Sequence, residues 1–139
     1  MIKKLLITTI AGTAVYFLFG WFIFEFILGN YTTEHTIQIS GFKKTDAQSS
    51  LPLLIVSCAA YSALISFVLV YLLNIKALFK AFKIAATIGI LVAIMADTYW
   101  YATSNFYSNV AVVAFDILGA GISVGILGLT IGFINKKQD

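Results

Sequence analysis

Polar positions are scarce along this chain and fall into clusters. Between them run four long apolar stretches, Leu5–Leu28, Leu51–Leu73, Phe82–Thr103 and Val110–Ile134. Each is close to the roughly 20 residues that an α-helix needs to cross the hydrocarbon of a bilayer. The pattern predicts an all-α, integral membrane four-helix bundle built from two antiparallel hairpins, as a single transmembrane domain. Only one connection, residues 29–50, has any length, so no separate soluble domain is expected.

That connection is polar, with Asn30, Glu34, His35, Lys43, Lys44 and Asp46. Inside it, Thr36-Ile37-Gln38-Ile39-Ser40 alternates polar and apolar residues. The alternation fits a short strand or a segment lying on the membrane surface. Pro52, the sole proline, falls in the first turn of the second span, where its missing N–H leaves nothing unpaired. Lys3 and Lys4 followed by apolar residues imitate a secretion signal. The apolar stretch runs on to Leu28, however, beyond the 7–15 residues of a signal core, so a retained membrane helix is expected.

Composition supports the membrane reading. Residues of hydrophobic type make up 60% of the chain and charged residues 11%, where a soluble domain carries about a quarter charged. Net charge is +3, and all nine basic residues are lysines. They sit beside the apolar runs, as flanking residues do, so nucleic acid is not an expected partner. Lys3, Lys4, Lys76, Lys80, Lys83, Lys136 and Lys137 fall on one side, against Lys43 and Lys44 on the other. The positive-inside rule then puts both termini in the cytoplasm of a cell whose inner (plasma) membrane holds the protein.

Spacing within the spans predicts how they pack. Gly121, Gly125, Gly128 and Gly132 share one stripe of the fourth span, which lets another backbone approach closely. Ala85, Gly89 and Ala93 form a similar stripe on the third. Ordinary bundle packing explains the fourth-span stripe, and a seam for a homodimer or a membrane-protein partner is the sharper alternative.

Three acids interrupt the apolar stretches: Glu25, Asp97 and Asp116. Carboxylates in hydrocarbon are expensive, so each is a candidate functional residue. At about 1.5 Å of rise per residue, Glu25 lies about 5 Å from the outer end of its helix, and the aspartates about 9 Å. All three thus occupy the outer half, which favours a shared acidic pocket. Asp97 continues the small-residue stripe of the third span, so it is expected to face the bundle interior. Asp116 lies off the glycine face, on a weakly polar line with Ala120, Ser123 and Thr130.

Aromatics at the same level complete the candidate lining: Trp21 and Trp100, each one turn from an acid, with Tyr101 and, from the second span, Tyr61. An interfacial belt is the plainer account of Tyr99, Tyr101 and Tyr107, and fits Trp21 and Trp100 as well as the pocket does. Other chemistries find no support. Cys58 is the only cysteine and His35 the only histidine. Neither a disulfide, a metal centre, a haem nor an activated nucleophile can be assembled from them. No cofactor and no enzymatic activity are expected.

Phe19-Gly20-Trp21-Phe22 and Phe115-Asp116-Ile117-Leu118-Gly119 carry a likeness. The chain resembles small four-helix bacterial membrane proteins grouped as a domain of unknown function, and that resemblance implies the layout but no activity. Small multidrug exporters also pair four helices with a first-helix glutamate. Theirs lies near mid-membrane, whereas Glu25 lies near the outer end. The leading expectation is therefore a protein that binds or moves a small solute, cation or proton through Asp97 and Asp116. The second is a structural or accessory subunit joined through the glycine stripe.

Overall fold

The computed structural model describes residues 1–137. Four of its helices are long and apolar enough to cross a membrane: α1 (Ile2–Ile27), α3 (Leu51–Leu72), α4 (Leu78–Thr103) and α5 (Val110–Lys137). A short helix, α2 (Gly29–Glu34), leads from α1 into the long loop. The third-span helix begins at Leu78, so Lys80 and Lys83 ride on its first turns. Pro52 enters α3 within its first two positions, where no intrahelical donor is needed.

Two helices end in wider π turns, Phe22–Ile27 in α1 and Phe67–Leu72 in α3. There the Leu28 amide donates to the Ile23 carbonyl at 2.9 Å, and Leu73 to Val68 at 3.0 Å, five residues back rather than four. Such turns hold one extra residue and rotate the side chains beyond them about the helix axis.

The closest packing lies between α4 and α5, and it is made by the predicted small residues. A Cβ added at Gly132 would stand 2.8 Å from the Cβ of Ala81, and one at Gly128 would stand 2.6 Å from the Ala81 carbonyl oxygen. Farther along, a Cβ at Gly121 would stand 2.7 Å from Ile90, and one at Gly89 the same distance from Val124. The pairs run in opposite order along the two helices. The glycine stripe of the last span is therefore filled within the chain. On α4, Ala85, Gly89, Ala93 and Asp97 are all buried, as the spacing predicts.

Around this pair, α1 and α3 close the bundle over Ile65, Leu69, Leu127 and Ile131, all fully buried. Ser62 donates to the Thr9 carbonyl at 2.9 Å, where Gly12 leaves room for its hydroxyl. Tyr16 and Tyr61 pack with ring centroids 5.3 Å apart. Apolar side chains also cover the outside, among them Leu53, Phe79 and Met95. A surface of that kind suits lipid rather than water.

The long loop is tied to the connection between α4 and α5. Ile37 donates to Phe106 and Ser108 to His35, each at 2.9 Å, around an isolated antiparallel bridge between Thr36 and Tyr107. The alternating segment thus contributes one bridge and no strand. This tie sets the roof over one end of the bundle.

Candidate functional site

The site starts from the register of α4. Because Ala85, Gly89 and Ala93 face α5, the next member of that series must also face inward, and Asp97 is 7% exposed. One carboxylate oxygen, Oδ1, accepts a hydrogen bond from the Tyr107 hydroxyl at 3.2 Å. Among the described residues the other, Oδ2, is buried and has no donor. A buried acceptor left in that state is costly unless something supplies a proton or a charge.

Asp116 supplies the neighbour. It sits in the second turn of α5, half-buried, close enough to Asp97 for the two carboxyls to interact electrostatically. Two carboxyls at close range can share a hydrogen bond only with a proton between them. Tyr107, in the loop above, lies within the electrostatic reach of both. Burial first, and then the adjacent Asp97 and Asp116 carboxyls, push its hydroxyl well above the ordinary tyrosine range. It therefore remains a donor. On the other side Tyr16 is close enough to Asp116 to interact electrostatically, and Tyr61 backs Tyr16.

A cleft of about 310 Å³ opens onto this cluster, lined by Asp97, Trp100 and Tyr107 together with Phe42 and Phe106. Phe42 and Phe106, with centroids 5.7 Å apart, also line a second and larger cavity of about 640 Å³. Glu25 belongs to that second cavity, with Lys43 and Lys44. The three acids thus divide two against one.

The remaining sequence candidates fall into place around this division. Trp100 borders the Asp97 cleft, and Tyr61 reaches the cluster through Tyr16. Trp21 is exposed, packs edge-on against Phe26 with 5.1 Å between centroids, and does not line the Asp97 cleft. Tyr101 is exposed as well. Tyr107 and Tyr16 carry more of the site than the sequence indicated. Tyr107 has the composition of a belt residue, and only the turn between α4 and α5 folds it back onto Asp97. Tyr16 had a signal, since it shares a face with Gly12 and Gly20 on α1.

No three His, Cys, Asp or Glu side chains gather as a metal centre among the described residues. The arrangement can share a proton between carboxyls, or hold a small cation against them with tyrosine hydroxyls nearby. Compared with known proteins, the chain matches no family model, no curated protein and no solved structure.

Proposed function

We propose that this is a non-enzymatic protein of the plasma membrane that binds a proton or small cation at the Asp97–Asp116 pair and uses it to bind or move a solute. The lysine distribution supports both termini in the cytoplasm and two antiparallel hairpins, with the pair in the outer half. One observation carries the reading: the buried Asp97 Oδ2 lacks a donor, beside a second carboxyl close enough to act on it electrostatically. No lysine enters the spans at this level, so a mobile cation is the natural partner. The alternative of an accessory subunit joined through the last-span glycines has less support, because α4 already occupies that stripe.

The test is proton movement in vesicles containing the purified protein, followed with an entrapped pH dye under an imposed pH gradient with and without sodium or potassium. Asp97→Asn and Asp116→Asn should each abolish the protein-dependent flux or cation binding while leaving the folded yield intact. Wild-type behaviour in both variants would end the proposal.

A further inference from the structure

The larger cavity carries a separate chemistry. Its volume of about 640 Å³ is lined by charges of both signs, Glu25 on α1 and Lys43 and Lys44 on the loop, with Asn30, Thr33 and Gln38 between them. Among the described residues these three charged side chains form no ion pair with one another. Opposite charges facing one space without pairing leave room for a ligand that carries both. A single-charge ligand would satisfy only one side.

The position says what kind of ligand. Glu25 lies in the π turn that closes α1, at the end of the bundle where a bilayer places its headgroups. Beside it, an apolar groove of about 420 Å³ runs between α1 and α5, with Ile23, Ile27, Leu118 and Ile122 in its walls. Phe24 joins the two spaces: it lines the charged cavity, and its ring edge would stand 3.2 Å from a Cβ at Gly119, which lines the groove. A charged chamber beside an apolar channel of this kind fits an amphiphile, with head and tail each provided for.

We infer that this cavity and the α1–α5 groove together hold a zwitterionic phospholipid, with its ammonium on Glu25, its phosphate on Lys43 and Lys44, and one acyl chain in the groove. Lysine ammonium groups suit a phosphate as point charges. A neutral or purely anionic headgroup leaves Glu25 without a partner. The site is independent of the aspartate pair, so its failure would leave the proposed proton or cation site untouched.

Native mass spectrometry of the detergent-solubilised full chain provides the test, with phosphatidylethanolamine and phosphatidylglycerol added at equal concentration. Wild type should retain phosphatidylethanolamine at least tenfold more strongly. Glu25→Gln should erase the preference, and the Lys43→Gln/Lys44→Gln double variant should weaken both lipids about tenfold. Leu118→Trp, which fills the groove, should weaken the lipid while sparing soluble phosphoethanolamine. Glu25, Lys43, Lys44 and Leu118 are exposed, so these variants should fold, and unchanged monodispersity in gel filtration confirms it. Equal retention of the two lipids by wild type, or an undiminished preference in Glu25→Gln, would overturn the inference. Soluble phosphoethanolamine binding as tightly as the lipid would overturn the lipid as occupant and leave a free zwitterion in its place.

Discussion

Tyr107 donates its hydroxyl to Asp97 across 3.2 Å, from a loop to a helix ten residues earlier in the chain. It is the one hydrogen bond that the described residues give the Asp97 carboxyl. Removing it with Tyr107→Phe leaves a buried carboxyl with no protein donor and should lower stability by about 1–3 kcal/mol. Unfolding in a graded denaturing detergent measures the change. A loss below the error of the method would mean that the bond is not formed in the folded protein.

The same hydroxyl should titrate late. Its folded pKa is raised by burial and by the neighbouring carboxyls, so the folded state holds this proton more tightly than the unfolded chain does. The resulting stability is fully present below the ordinary tyrosine value near ~10 and declines as pH rises through and beyond it. Ultraviolet difference titration of wild type against Tyr107→Phe isolates this group. Its ionisation at the pH of exposed tyrosines would contradict the burial.

Asp97 and Asp116 should be energetically coupled. A double-mutant cycle with Asp97→Asn and Asp116→Asn is expected to give an interaction energy of about 0.5–3 kcal/mol, as for groups in one network. Amide side chains keep the shape of the pair while removing its ionisable protons. Strict additivity would show that the two carboxyls do not interact.

Glycines in the spans should differ sharply in tolerance. Gly128→Leu drives a side chain into Ala85 and the backbone of Ala81, which cannot swing aside. It should cost about 1–3 kcal/mol or more. At Gly20 an added Cβ meets nothing within 4 Å, so Gly20→Ala should leave stability unchanged or raise it by up to about 1 kcal/mol. Thermal unfolding of both variants decides it, and equal effects would place the glycine stripe elsewhere than against α4.

These contrasts also show what the sequence could and could not convey. The spans were legible because apolar length reflects bilayer thickness, a constraint that tertiary packing does not alter. Asp97 was legible because Ala85, Gly89 and Ala93 set a helical register that holds without interruption to the acid. Glu25 was not, because its helix widens into a π turn between Phe22 and Ile27, and simple periodicity fails from that point on. Tyr107 escaped for another reason. Interfacial tyrosines have the same neighbours in sequence whether they face headgroups or fold back onto an acid, and only the bridge from Thr36 to Tyr107 distinguishes the two.

Phe42 and Phe106 form a partition common to the two cavities, and it hangs from the Ile37–Phe106 backbone bond. A change that moves either ring therefore reshapes both spaces at once, so Phe42→Ala or Phe106→Ala is expected to enlarge the Glu25 cavity and the Asp97 cleft together.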